Sequence, residues 1–395
     1  MNTTAIGTPS GVRVAERAVS KATAVPWLSW AGLIASAGIA TGVYWDISWH
    51  ETIGRDSFWT PAHLLIQFGA VVAGLASSWV IFRTTFGRDA AAKQVGVNVL
   101  GFRAPLGAFI LAWGGVAMLT SAPFDDWWHN AYGLDVKIVS PPHMLLALGI
   151  FGINWGAVFL TVAQLNRSSG LERKRLGYLL LATGGFIIVQ TMTLKLEFTS
   201  RVWQHSATPY MVLSIGLLFV IEALARVTGL RWARTIIAGI YTAFCLLMLW
   251  ILPLFPAVPK LGPVYQNITH MVPLPFPVLI VAGAVVLDLL WPRLQNSSRL
   301  VQSVVGGVVF LAVVIAVQWP FASFMMTPAA DNWFFHRNNY PYFAQPTWAE
   351  VTHVFMNWEA SSTAFWVTMS FAFLMSVVNM WLGTLFGNWL SKVRR

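Results

Sequence analysis

The stretch YWDISWHETIGRDSFWTPAHLL, Tyr44 to Leu65, sets Asp46, His50, Glu51, Arg55, Asp56 and His63 between two long apolar runs. Only 10% of the 395 residues are Asp, Glu, Lys or Arg, so this crowding needs a reason. The runs on either side are each about the length that crosses a bilayer core as a helix. Similar runs recur along the chain, 56% of residues are hydrophobic, and mean hydropathy is +0.63. The composition therefore predicts an all-α, polytopic transmembrane helix bundle. Ionisable groups placed at membrane depth are costly, which makes a functional role for this stretch the working hypothesis.

About ten spans are expected, near residues 26–48, 62–83, 99–120, 143–165, 177–196, 208–226, 235–254, 273–291, 301–318 and 363–389. Residues 1–25 are polar, carry Arg13, Arg17 and Lys21, and read as a cytoplasmic tail, because a signal peptide has a shorter charged region. With both termini in the cytoplasm, 19 of the 25 Lys and Arg residues fall on that side. The other six, Arg55, Lys137, Lys195, Arg201, Lys260 and Arg337, fall outside. Retention of positive charge in the cytoplasm explains the net charge of +10 without a nucleic acid partner. All eight histidines then lie on the outer side. A single cysteine, Cys245, excludes a disulfide framework and a thiolate metal site.

Asp46 and His50 are four residues apart and share a helix face at the outer end of the first span. Thr60 and Pro61 suit the cap and first position of the next helix, with His63 in its first turn. Two imidazoles and a carboxylate form a donor set for copper, zinc or non-haem iron. The next hairpin repeats the grammar in DDWWHNAYGLDVKIVSPPH, Asp125 to His143. There Asp125 and His129 are again four apart, and His143 again follows a Ser-Pro step at the start of a span. The first set reads Asp-x3-His-x12-His and the second Asp-x3-His-x13-His, with a Trp (Trp49, Trp128) before each middle His.

These two motifs resemble the C subunit of the copper membrane monooxygenases, the particulate methane and ammonia monooxygenase family. Its first metal motif runs D-x-x-W-H-x-T-I-x-R-D and ends in T-P-x-H. This chain matches with Asp46, Trp49, His50, Thr52, Ile53, Arg55, Asp56, Thr60, Pro61 and His63. The family's second site starts with Asn, where this chain has Asp125, followed by His129 and His143, with Asp135 at a commonly acidic place. The resemblance covers about residues 26–165, a four-span metal-binding region. It implies copper as cofactor and O2-dependent hydroxylation of a small substrate such as a short hydrocarbon or ammonia. It also implies separate A- and B-like subunits, a homo-oligomer, a quinol-type reductant, and sites facing outward from an inner or intracytoplasmic membrane. Arg55, Asp56 and Trp49 are then candidates to orient the ligands, and Trp49, Trp127 and Trp128 to wall the sites. The same donors would also suit a metal-transport protein, a b-type haem protein or a non-catalytic assembly subunit.

Residues 166–395 form a further six-span region of uncertain role. NITHMVPLPFPVLIVAGAVVLD, Asn267 to Asp288, loosely resembles part of the family's A subunit. VWQHSATP (Val202 to Pro209) and DNWFFH (Asp331 to His336) echo the metal motifs without their spacings. His205, His270, His336 and His353 are expected as hydrogen-bonding residues of the interface. Glu222 and Asp288 are expected to pair with Arg226 and Arg293.

Overall fold

A computed structural model describes residues 27–54, 59–133 and 140–394. The expected tail, together with Arg55, Asp56 and Asp135, lies outside the described residues. The chain is an all-α bundle. Its long helices are α1 (Trp27–Thr52), α2 (Pro61–Phe86), α3 (Leu106–Tyr132), α4 (Pro141–Leu165) and α5 (Gly170–Thr193). They continue as α6 (Thr208–Ser214), α7 (Leu217–Thr228), α8 (Ala233–Ile251), α9 (Ile280–Leu294), α10 (Arg299–Met325) and α11 (Ser362–Leu390). A two-stranded hairpin, β1 (Val97–Val99) and β2 (Phe102–Ala104), joins α2 to α3.

Among the described residues, eight helical stretches are long and apolar enough to cross a membrane, against the ten expected. Helix α1 has the length, at 26 residues, but small and polar residues such as Ser29, Ser36 and Thr41 dilute it. The span expected at 273–291 is the clearer departure. Pro273, Pro275 and Pro277 remove alternate N–H donors and fix φ, so Met271 to Leu279 has no regular secondary structure and only the 15 residues of α9 are helical. Fifteen residues rise about 22 Å, short of the roughly 30 Å of hydrocarbon.

Non-helical backbone among apolar helices must find partners within the protein. Here Val272 N–H donates to Thr52 Oγ1 at 2.7 Å, Ser48 Oγ donates to Val272 O, and Leu279 N–H donates to Gln318 Oε1 at 2.8 Å. The span expected at 208–226 is also interrupted, at Ile215–Gly216, where Gly216 takes φ 78°. Asn379 Oδ1 accepts the Gly216 N–H, and Lys195 Nζ donates to the freed carbonyls of Leu213 and Ile215.

Helices α1–α4 share one apolar core, containing Ile39, Ile66, Leu111, Met118 and Ile153. A larger core gathers α5–α11 and reaches back to Ala40, Tyr44 and Ile53 at α1 and to Val158 and Leu165 on α4. Within each hairpin of the first core the backbones touch through glycine. A Cβ on Gly42 of α1 would stand 2.8 Å from Ile66 N on α2, and one on Gly114 of α3 would stand 2.5 Å from Ile153 N on α4. Helix pairs this close owe their approach to the missing side chains.

Towards the end opposite the Asp and His motifs, Glu222 and Asp288 are fully enclosed. Arg226 reaches Glu222 at 2.7 Å, and Arg234 bridges Glu222 at 2.7 Å and Asp288 at 3.1 Å. The Arg226 pairing is as expected. Asp288 pairs with Arg234 in place of Arg293, because α8 brings Arg234 inward under the Trp291 ring, 3.7 Å from its centroid.

Candidate metal centre

Helix α1 delivers Asp46 and His50 one turn apart, and the start of α2 delivers His63. Thr60 caps α2, its hydroxyl accepting the backbone N–H of His63 at 3.3 Å, with Pro61 at the first position. That cap fixes where the His63 side chain emerges. Asp46 Oδ1 then lies 3.0 Å from His63 Nε2 and 3.7 Å from His50 Nε2. One donor atom from each residue falls within 4.8 Å of the others, and among the described residues this is the group that does so.

Those distances suit a common ion. Donors at about 2.0–2.1 Å from a tetrahedral metal stand about 3.4 Å apart, between the two observed values. Asp46 Oδ1 is shielded from solvent and accepts no hydrogen bond among the described residues. A buried carboxylate oxygen 3.0 Å from an imidazole nitrogen is costly unless a proton or a metal ion lies between them, and a cation among the three residues would satisfy all three.

The second hairpin repeats this construction. Ser140 caps α4 by accepting the His143 N–H at 3.4 Å, behind Pro141. Asp125 Oδ1 lies 3.2 Å from His129 Nε2 and 3.6 Å from His143 Nε2, and it too is buried without a hydrogen-bond donor. The two histidines each reach Asp125, but the three donors do not close to the 4.8 Å of the first group.

His129 adds a detail of its own. Its Nδ1 lies 3.1 Å from the Gly133 carbonyl, which can only accept, so Nδ1 carries the hydrogen. Nε2 of a neutral His129 therefore turns a lone pair toward the Asp125 oxygen. Two lone pairs at that distance repel unless a proton or a metal ion sits between them. A ligand histidine whose other nitrogen is held by a carbonyl is the usual arrangement around a bound metal.

The remaining candidates are placed as follows. Trp49 is half-buried against the larger core, and its Nε1 has no acceptor among the described residues. Trp128 packs 4.5 Å from the Tyr132 ring, while Trp127 is 54% exposed and stacks on Phe124. His205 lies between the rings of Trp319 and Phe355, with Nε2 3.1 Å from Trp319 O. His270 meets Thr269 Oγ1, His336 meets Asn339, and His353 meets Tyr340 and Arg337. The second half echoes the motifs in letters and does not reproduce them in space.

Sequence reasoning missed how the first centre is held. Lys260 N–H donates to Ile53 O at 2.8 Å and Tyr342 N–H to Glu51 O at 2.9 Å, beside the Ser48 and Thr52 bonds to Val272. Connecting segments of the second half thus grip the end of α1 at the turn that bears His50. The one available signal was Ser48 and Thr52, polar residues at helical spacing on an otherwise apolar flank.

No family model, curated protein sequence or solved structure matches this chain.

Proposed function

We propose that the chain is a copper-binding subunit of a membrane monooxygenase that hydroxylates a small substrate such as a short hydrocarbon or ammonia. The observation that carries this reading is the Asp46–His50–His63 cluster at the mouth of the first hairpin, with its shielded carboxylate oxygen between two imidazoles. The repeated Asp125–His129–His143 set and the motif resemblance support it. Bound copper would supply electron exchange and O2 chemistry.

The chain's own residues do the rest. Two neutral imidazoles and one carboxylate hold a redox ion with no thiolate for an oxidant to consume. The Thr60 and Ser140 caps fix His63 and His143, and the Gly133 carbonyl orients His129, so the donors are arranged before an ion arrives. Location at the ends of apolar helices lets O2 and apolar substrates arrive from the lipid bilayer. Electrons, in this reading, come from a quinol-type reductant through A- and B-like subunits, with the complex forming a homo-oligomer at an inner or intracytoplasmic membrane. Zinc or non-haem iron would fit the same donors.

Metal analysis of the purified full chain tests the proposal. His50→Ala and His143→Ala are each expected to lower the copper content, and unchanged copper in both would end the two-centre reading. Copper lost from the variants without incorporation of labelled O2 into substrate by the assembled complex would favour metal handling over oxidation.

A further inference from the structure

The end of the bundle away from the Asp and His clusters carries a surface that oxygen chemistry does not use. The loop between β1 and β2 is two residues, Leu100 and Gly101, with φ of 52° and 86°. Both angles are positive, as a tight two-residue hairpin turn demands. Leucine rarely adopts this conformation, and here it is held 85% exposed. Phe86 and Phe102 stand beside it, exposed and ring to ring at 6.3 Å. Exposed apolar groups clustered with cations are the composition of a membrane interface.

The cations are Arg83, Arg88, Lys93 and Arg103. None of the four is in an ion pair among the described residues. The local carboxylate, Asp89, accepts the Ala92 N–H as a helix cap. The surface is therefore positive and short of counter-charge.

An apolar groove of about 400 Å3 begins at Val99 on this hairpin and runs up the outside of α3 and α4. Gly114 and Gly152 form its floor; Phe109, Trp113 and Leu148 are its walls. From Leu106 to Ala117 it follows α3 for about 16 Å. That is roughly half the hydrocarbon thickness, one leaflet deep. A partner helix would need a seam through both leaflets, whereas one lipid chain needs only this depth.

We infer that this end of the protein binds an anionic phospholipid of the adjoining leaflet, its headgroup against Arg88, Lys93 and Arg103 and one acyl chain in the groove along α3 and α4. The glycines that let α3 and α4 meet thereby leave the recess that the chain occupies.

Electron paramagnetic resonance on the full chain in bilayers, with chain-labelled phosphatidylglycerol or phosphatidylcholine as probe, tests this. Each cation near an anionic headgroup is worth about fivefold in association. The wild type is thus expected to immobilise phosphatidylglycerol at least about fivefold more strongly at low salt. The triple variant Arg88→Ala, Lys93→Ala, Arg103→Ala should bring the two lipids to parity. Ala117→Phe, which fills the groove and leaves every cation in place, should release the immobilised phosphatidylglycerol. Equal immobilisation of both lipids by the wild type would overturn the headgroup assignment. Immobilisation untouched by Ala117→Phe, or an oligomer that this variant dissociates, would overturn the acyl-chain assignment. Retention of wild-type metal content at the far end shows that the variants fold.

Discussion

Gly114→Ala is expected to weaken metal binding at the Asp125–His129–His143 set and to spare the Asp46–His50–His63 set. The added Cβ would stand 2.5 Å from Ile153 N and 2.8 Å from Gly149 O, where ordinary contact begins at 3.4 Å. The two backbones must therefore separate by about 1 Å, since neither obstacle is a side chain that can turn away. His129 and Asp125 ride together on α3, so their 3.2 Å spacing survives. His143 rides on α4, and its 3.6 Å from Asp125 grows toward about 4.6 Å, beyond the roughly 3.4 Å that a shared ion allows. Overpacking costs about 1–3 kcal/mol, and strain relieved when the ion leaves weakens binding by about 5- to 150-fold. Chelator competition in a His50→Ala background reads the second centre alone, and in a His143→Ala background the first. Gly42→Ala, against Ile66 on α2, is the mirror experiment and should weaken the first centre alone. Equal loss at both centres from either substitution, or no loss at all, would refute the idea that each hairpin sets its own site.

Arg234→Met leaves Asp288 buried without its ion pair and Glu222 with only Arg226, so thermal unfolding in detergent should show a loss of about 3–5 kcal/mol. Adding Glu222→Gln and Asp288→Asn should recover much of it, because the uncompensated charges go too. In the loop between α10 and α11, burial, joined by the charges of Arg337 and Arg201, pushes the His353 imidazole from 6.5 down to about 4. The unfolded chain then binds more protons between these values, so stability should fall as pH drops from about 6.5 toward about 4. Protonation would also break the hydrogen bond that Nδ1 accepts from Arg337 Nε. His353→Asn, which tolerates the positive φ of 55°, should flatten that pH slope in thermal melts.

The two Asp/His hairpins were legible because the spacings and caps that build them are local. A four-residue helical interval places Asp46 with His50 and Asp125 with His129. A capping hydroxyl followed by proline places His63 and His143. The failures share the opposite character. The alternating prolines at Pro273, Pro275 and Pro277 argue against a helix, and hydropathy, on which the span at 273–291 rests, does not register them. That irregular segment is held by hydrogen bonds to Ser48, Thr52 and Gln318, and by Met271 N–H donating to Phe255 O. The break at Gly216 likewise rests on Lys195 and Asn379, far away in sequence. Arg234 in place of Arg293 follows from how α8 faces α9, which no spacing rule encodes.

The grip of Val272, Lys260 and Tyr342 on the last turn of α1 has a consequence for biogenesis. His50 and His63 leave the ribosome early, but the frame around them closes only when Tyr342 has been made and has reached Glu51. At about 5–20 residues per second, that is a delay of tens of seconds. Among the described residues, no backbone hydrogen bond ties the second hairpin's mouth to a segment of the second half. A nascent chain stalled before residue 342 would therefore carry the Asp125–His129–His143 hairpin already folded beside an Asp46–His50–His63 set whose frame is still open.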